Sequence, residues 1–359
     1  MRSVKNLQKR VPFWLTTFVL SRLLYFLVAL IWEKSHEKQF GIATFCHFDC
    51  KWYLRIIENG YLDPSKMPGH EGATNWAFFP AFPITTRIVE HLLRLNPVIA
   101  GLGINLIASL MTLYLLNKYL LIDFSKKITN FALFLFAFSP ANAYFNSLYS
   151  EALYSFLLVS LVYSIKKERY LLAGLIGSFF SVSRVTGLFV SILIFSFILL
   201  DKKYIREKIY GFLLTLILPS IFFLYAFFET GDLLKSIHAH KAWGVEPKNP
   251  IIWTSNVLQS THITTWGYFI LVVTSIVICT YFIKKKRFYE ALSLLPVLLS
   301  SIFTTQINYR YFLGIFPIYL FLALITSSRD KIKKALYVLS VIGLILGCIF
   351  WITNQGFMV

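Results

Sequence analysis

Residues 13–32 read FWLTTFVLSRLLYFLVALIW, twenty positions with a single charge, Arg22. A helix rises about 1.5 Å per residue, so this run matches the roughly 30 Å hydrocarbon core of a bilayer. No small-residue cleavage site follows, which predicts a retained span and not a signal peptide. Ten more apolar runs lie at about 98–117, 128–146, 150–165, 170–182, 184–200, 209–228, 266–283, 288–304, 308–327 and 335–353. The expected fold is therefore an all-α polytopic membrane protein with about eleven transmembrane helices, a single integral membrane domain over residues 1–359. Composition agrees, with 57% hydrophobic and only 14% charged residues and a mean hydropathy of +0.65. Soluble domains are about a quarter charged, so an ordinary globular enzyme and a disordered chain are both excluded.

The net charge of +18 would suggest nucleic acid in a soluble protein. Here its placement matters more. Alternate connections carry Arg2, Lys5, Lys9 and Arg10; Lys118, Lys126 and Lys127; Lys166, Lys167 and Arg169; Lys202, Lys203, Arg206 and Lys208; Lys284 to Arg287; and Arg329, Lys331, Lys333 and Lys334. These are 22 of the 35 basic residues. Short cytoplasmic loops hold the Lys/Arg excess, so this face is expected inside, with the N-terminus cytoplasmic and the C-terminus outside. No nucleic-acid partner is needed to explain the charge; membrane lipids are the expected surroundings.

Residues 170–200 could form one long helix by periodicity. That would move Lys202 to Lys208, Lys284 to Arg287 and Arg329 to Lys334 to the outside, against the same rule. The charge pattern instead predicts a hairpin turning near Ser181-Val182-Ser183-Arg184, with Arg184 recessed in an outer-leaflet groove. Two outer segments are long, 33–97 and 229–265, and all seven histidines and 11 of the 17 acidic residues lie on that side. Groups able to do acid/base work are thus collected on one face.

Within the first outer loop, His47 to Tyr61 reads as a short amphipathic helix ending at Gly60. Asp49, Trp52, Tyr53 and Ile56 fall on one face at helical spacing. A carboxylate beside two aromatics suits a general base; an interfacial anchor helix capped by Asp49 gives the same pattern. Farther on, Asn75-Trp76-Ala77-Phe78-Phe79-Pro80-Ala81-Phe82-Pro83 predicts a rigid extended turn before a helix over Thr85 to Leu95. Arg87, His91 and Arg94 share one face of that helix, either to hold a phosphate or as a solvated face paired through Glu90. Arg22, about nine residues into the first span, calls for a partner inside the bundle, with Glu151, Asp49 or a backbone carbonyl as candidates. Glu151 could bind substrate hydroxyls or cap the fourth helix. Cys46 and Cys50 form a close pair without zinc spacing, and the four cysteines show no disulfide framework. His47 with Asp49, His70 with Glu71 and His238 with His240 offer potential ligands for a divalent metal, but none matches a zinc motif; no cofactor or metal is expected.

The order of these landmarks resembles the PIG-V family, polytopic mannosyltransferases related to the enzyme that adds the second mannose in GPI-anchor synthesis. The residues that carry it are Phe48-Asp49, Trp52-Tyr53, Gly60-Tyr61 and Phe78-Phe79-Pro80-Ala81-Phe82-Pro83. Ser21-Arg22-Leu23-Leu24, Ser139-Pro140, Tyr149-Ser150-Glu151, Arg184-Val185-Thr186-Gly187 and Arg310-Tyr311 follow the same order. One departure is Phe48, where the family usually has Trp before the Asp. The chain is short for the eukaryotic enzyme, which suggests a prokaryotic relative.

The resemblance implies a GT-C type glycosyltransferase that takes a hexose, mannose by analogy, from a polyprenyl-phosphate-linked sugar donor. A lipid or glycan acceptor hydroxyl would receive it at the outer membrane face, with inversion. Asp49 becomes the general base. Arg184 and Arg310, then Lys51, Arg55 and Arg87, are candidates to hold the donor phosphate; snorkelling to headgroups is the alternative for the first two. Trp52, Tyr53, Asn75, Trp76, Phe79, Glu151 and Tyr311 are the candidate substrate-binding residues. The location implied is a prokaryotic plasma membrane with the active site outside, or the lumenal side of the endoplasmic reticulum in a eukaryote. A lipid or sugar transporter or flippase is the chief rival, but it usually shows repeated halves and midplane charges. A membrane acyltransferase would want a histidine within the membrane, and every histidine here lies in an outer segment.

Overall fold

The computed structural model describes residues 11–62, 73–261, 263–304 and 309–354. The N-terminal Arg2, Lys5, Lys9 and Arg10, the loop residues Asp63, His70 and Glu71, and His262 fall outside these. Among the described residues the chain is helical, with one isolated bridge between Pro247 and Thr304. All eleven predicted runs are helical, in whole or in part. They form α1 (Phe13–Ser35), α4 (Pro97–Asp123), α5 (Lys126–Ala137), α7 (Glu151–Lys166), α8 (Tyr170–Ser181) and α9 (Val185–Ile198). The later runs form α10 and α11 (Ile205–Thr215, Ile217–Thr230), α14 (Ile263–Lys284), α15 (Phe288–Phe303), α16 and α17 (Tyr309–Leu313, Phe316–Thr326) and α18 (Asp330–Ile352). Five spans are long and apolar enough to cross a membrane: 13–35, 97–123, the joined 205–230, 265–284 and 330–352. Shorter apolar helices fill in around them. Leu20, Leu23, Leu27 and Ile31 on α1 and Val338, Leu339 and Ile342 on α18 are exposed, an apolar surface far larger than water tolerates and suited to lipid. The protein is an integral membrane protein with one buried core running from Phe18 to Ile352.

The predicted hairpin at 170–200 is present. Its arms pack closely because Gly187 has no side chain; a methyl there would collide with the Phe180 backbone oxygen. Two other predicted runs are interrupted. The 128–146 run stops at Ala137, since Pro140 lacks an N–H and its ring collides with the carbonyl four residues back. The chain then makes a tight turn containing α6 (Asn142–Phe145). The carbonyls this break frees are satisfied from within, as a nonpolar setting requires: the Ser139 N–H donates to Phe136 O at 3.4 Å and Asn142 Nδ2 donates to Ala137 O, while beyond the turn Asn105 Nδ2 donates to Ser147 O at 2.6 Å and Tyr149 O at 2.8 Å. The 308–327 run breaks at Gly314-Ile315, leaving Arg310 on the one-turn α16.

In the first long loop α2 spans Cys50–Asn59 and ends at Gly60, whose φ of 75° is the left-handed value that glycine accepts. The turn before α3 is shorter than expected. α3 (Ala81–Leu93) begins at Ala81, so Pro83 lies inside its first turn, where an amide N–H has no helical partner to lose. The Ala81 N–H donates to Val182 O at 2.9 Å, tying this turn to the hairpin. In the second long loop, α12 (Lys235–His238) and the 3-10 turn Ala239–Trp243 fold back on the 3-10 turn Asn75–Ala77, and α13 (Pro250–Gln259) follows. Both long loops therefore meet at one end of the bundle.

The opposite, basic end has its own ionic junction. Asp123 Oδ2 receives Lys166 Nζ at 3.0 Å and Arg287 Nη2 at 3.1 Å. Glu290 Oε1 accepts from Arg287 Nη2 at 2.6 Å and Nε at 3.0 Å, and from the Tyr119 hydroxyl at 2.9 Å. This locks the ends of α4, α7 and α15 together.

Candidate active site

The site begins with how the chain presents Asp49. Cys46 and Cys50 are joined by a disulfide that brackets it; the sequence reading of no disulfide pattern is corrected here, because a single bridge across three residues produces no framework of spacings. Between them Phe48 takes a φ of 48°, a left-handed conformation that costs an ordinary residue about 1–2 kcal/mol. The Asp49 N–H donates to the Tyr149 hydroxyl at 2.8 Å. Asp49 stands at the N-cap position of α2, but its side chain does not cap. Instead Oδ2 accepts from Arg310 Nη1 at 2.7 Å. Oδ1 has no hydrogen bond to any described residue, and Asp49 as a whole is only 7% exposed.

Arg310 continues the array. Its Nε lies 3.3 Å from Glu151 Oε1 in an ion-pair contact without hydrogen-bond alignment. Glu151 Oε1 also accepts from Arg184 Nη1. The guanidinium of Arg184 sits 4.0 Å from the centre of the Tyr311 ring, and that of Arg310 sits 5.2 Å from the Tyr149 ring. Four charges from distant parts of the chain therefore alternate in a line: Asp49, Arg310, Glu151, Arg184. Their sum is zero. Glu151 is the first residue of α7, yet it serves the arginines and does not cap the helix. Glu151 Oε2 is buried without a hydrogen-bond partner among the described residues, and beyond Nη1 the Arg184 donors make no hydrogen bond to a described residue. Arg184 and Arg310 are thus held inside the protein and do not snorkel.

Aromatic side chains wall the array. The Tyr53 hydroxyl donates to Ser150 Oγ at 3.0 Å, next to Glu151, and burial pushes the Tyr53 phenol well above its usual range. Trp52 lies 5.9 Å from Phe78 and 5.3 Å from Trp243, ring centre to ring centre. Burial comes first among the causes that lower the His47 pKa below the ordinary imidazole value.

Of the residues singled out in the sequence, Asp49, Tyr53, Glu151, Arg184, Arg310 and Tyr311 are brought together. Trp52 belongs to the aromatic wall, and the others stand apart from the charged line. Lys51 is exposed and Arg55 half-buried on α2. Arg87 lies with its guanidinium against Gly60. Arg94 leaves the basic face at the left-handed end of α3, and no ion pair joins Glu90 to that face among the described residues. Asn75 Nδ2 donates to Gly60 O at 2.9 Å. Trp76 packs on Tyr61 at 4.6 Å, and Phe79 on Phe222 at 5.5 Å. Arg22 is a correction: Asp49 and Glu151 are engaged elsewhere, and its Nε and Nη1 are buried without a hydrogen bond among the described residues, the guanidinium lying 5.4 Å from the Phe18 ring centre. His238 Nδ1 pairs with Asp232 Oδ2 at 2.9 Å and His240 Nδ1 with Ser236 O at 2.8 Å, so these two rings point to different partners. Sequence reasoning missed Tyr149 as the support of the Asp49 backbone. Its place beside Ser150-Glu151 was visible, but a contact across a hundred residues has no local signal.

The array supplies a buried carboxylate with one oxygen fixed and one open, two arginines with capacity to spare, and an aromatic enclosure. Comparison with known proteins bears on it directly. The family described as Mannosyltransferase (PIG-V) matches residues 15–227, a stretch that includes Asp49, Tyr149, Glu151 and Arg184. The human GPI alpha-1,6-mannosyltransferase 2 is 30% identical over 152 residues, 40% of this chain and 29% of the human protein. The mouse protein of the same name is 30% identical over 151 residues, covering 39% of this chain and 29% of its own length. The aligned region thus spans less than a third of either curated relative. With a family match over more than half of its length, the chain belongs to the mannosyltransferase (PIG-V) family.

Proposed function

We propose that the protein is a GT-C type mannosyltransferase that moves mannose from a polyprenyl-phosphate donor to a hydroxyl of a lipid- or glycan-linked acceptor. The observation that carries this reading is the Arg310–Asp49 contact at 2.7 Å, which fixes one carboxylate oxygen and leaves the other open. In the proposed reaction the acceptor hydroxyl attacks the anomeric carbon as its proton passes to Asp49 Oδ1. The bond from that carbon to the phosphate oxygen breaks, the configuration inverts, and polyprenyl phosphate leaves.

The alternating charges suit this sequence. Before reaction Asp49 balances Arg310, and Glu151 balances Arg184. Taking up the proton neutralises Asp49, so Arg310 gains an uncompensated positive charge as negative charge grows on the leaving phosphate. In a buried site such fixed charge is worth far more than in water. Arg184 supplies the second cation, its plane held against Tyr311. In this reading the site faces outside, a side supported by its position opposite the Lys/Arg-rich loops and by the Cys46–Cys50 disulfide in the first loop, which suits an oxidising compartment.

The relatives' names specify a GPI acceptor and an alpha-1,6 linkage, but the match covers 29% of their length, so the acceptor is proposed only as a class. The test is purified protein in lipid nanodiscs with a panel of polyprenyl-phosphate sugars and acceptor lipids. Release of polyprenyl phosphate, greatest from the mannose donor and giving an inverted product linkage, is expected. No release from any donor in the panel would sink the reading.

A further inference from the structure

The Cys46–Cys50 bridge encloses His47, Phe48 and the proposed base Asp49, yet no step of the reaction above uses it. A disulfide stabilises a fold mainly by restricting the unfolded chain, and that effect grows with the length of the closed loop. With three residues enclosed, this bridge contributes little of that kind. What it restricts is the local path of the backbone, and here that path is unusual: Phe48 is held at a φ of 48°, which an ordinary residue leaves when it is free to. The other supports of the turn are noncovalent. The Tyr149 hydroxyl accepts the Asp49 N–H at 2.8 Å and donates to His47 O at 3.4 Å. The fully buried Trp351 places its ring 5.6 Å from Phe48, 5.8 Å from His47 and 5.1 Å from Tyr149, centre to centre.

The rest of the site does not depend on the bridge. α2 has its own anchors beyond Cys50: Trp52 lies 5.9 Å from Phe78 and Tyr53 lies 5.3 Å from Phe82, and the Tyr53 hydroxyl donates to Ser150 Oγ at 3.0 Å. Glu151 and Arg184 pair with each other from α7 and the hairpin. Opening the bridge therefore frees residues 46–49 while leaving α2 and the cation proposed for the phosphate in place. Relaxation of Phe48 to ordinary backbone values would swing the Asp49 carboxylate away from Arg310 Nη1, which it now meets at 2.7 Å. We propose that Cys46 and Cys50 are positioning residues whose bridge holds Asp49 Oδ1 where the acceptor hydroxyl arrives, so that mannose transfer depends on the redox state of this pair. The switching step is a two-electron exchange: a dithiol reductant supplies two electrons and two protons, the S–S bond breaks to two cysteine thiols, and the reductant becomes its own disulfide. The inference rests on the glycosyltransferase reading and adds a redox requirement to the same site.

The experiment measures transfer from polyprenyl-phosphate mannose by oxidised wild type, by wild type treated with dithiothreitol, and by the double variant Cys46→Ser/Cys50→Ser. Thiol alkylation and mass measurement count the opened bridges in each sample. Misplacing a catalytic group by about 1 Å can cost a hundredfold in rate. Opening the bridge should therefore lower kcat about 10- to 100-fold, in proportion to the fraction opened, with KM for the donor and the melting temperature nearly unchanged. Reoxidation should restore the rate, and the serine pair should be slow and indifferent to dithiothreitol. The serine pair needs no entry of reductant and the reduced wild type needs no altered folding, so either one decides the matter. Unchanged kcat with the bridge open would overturn the proposal. So would a fall in melting temperature with full turnover by the folded fraction, or a rise in KM at constant kcat. Asp49→Asn in the same assay separates the two levels: transfer that requires Asp49 but ignores the bridge defeats this inference alone, whereas no transfer by oxidised wild type defeats both.

Discussion

The protein contains two ionic junctions, one at each end of the bundle, and they are built differently. At the basic end Glu290 is nearly inaccessible but well supplied, accepting two bonds from Arg287 and one from Tyr119. Its neighbours Asp123 and Lys166 keep 24% and 32% of their side-chain surface exposed. At the loop end no member exceeds 11%, yet capacity is unspent: among the described residues Glu151 Oε2 accepts no hydrogen bond and Arg310 Nε donates none. A junction that serves only to hold helices saturates its buried charges. On the proposed reaction, the capacity left unspent at the loop end is what the donor and acceptor would use.

Substitutions at matched positions break or sharpen this contrast. The largest effect is expected for Arg310→Gln, which strands both Asp49 and Glu151; removing one partner of a buried pair costs roughly 3–5 kcal/mol. Transfer should disappear and thermal unfolding should move down sharply. Arg287→Gln should also lower the melting temperature, but its folded fraction should transfer mannose at the wild-type rate. If the two variants lose activity alike, the ends are not functionally distinct. Arg184→Gln comes next, with about a 100- to 1,000-fold fall in kcat/KM and a smaller change in stability. A smaller step is expected for Tyr53→Phe, which removes only the hydroxyl donated to Ser150; about 1 kcal/mol of stability and less than a tenfold change in turnover should follow.

Acidity supplies a gentler probe. The pKa of His240 and that of His47 are both lowered from 6.5, burial being the first cause. A lowered value for a base means that the folded protein disfavours the protonated ring. Neither group destabilises the fold above pH 6.5, and the penalty grows as pH falls from 6.5 through the folded values. Activity and melting temperature should therefore hold steady down to pH 6.5 and decline below it. A decline centred above pH 6.5 would contradict these assignments.

Much of the fold was legible in hydropathy and charge. The eleven apolar runs are helical, and the hairpin at 170–200, invisible to periodicity, was recovered from the position of Lys202 to Lys208. The breaks at Pro140 and Gly314 were less visible, because an apolar run looks the same whether or not its helix is interrupted. Asp49, Glu151, Arg184, Arg310 and Tyr311 were each readable as candidates. Their pairing was not: Asp49 and Arg310 are 261 residues apart, and no helical or loop period encodes such a contact. The Cys46–Cys50 bridge is local but leaves no framework of spacings to read, and the packing of Trp243 from the second long loop on Trp52 and Phe78 of the first has no local signal.

The central claim is that the open oxygen of Asp49 receives the acceptor proton. It is tested most directly by Asp49→Asn, which keeps the size of the side chain, with Arg287→Gln beside it as a variant altered at the other end. Polyprenyl-phosphate release and product formation would be measured from polyprenyl-phosphate mannose at matched folded protein. The account predicts a loss of about 100- to 10,000-fold for Asp49→Asn, with donor binding retained and Arg287→Gln near the wild-type rate. Transfer by Asp49→Asn at an undiminished rate would contradict it.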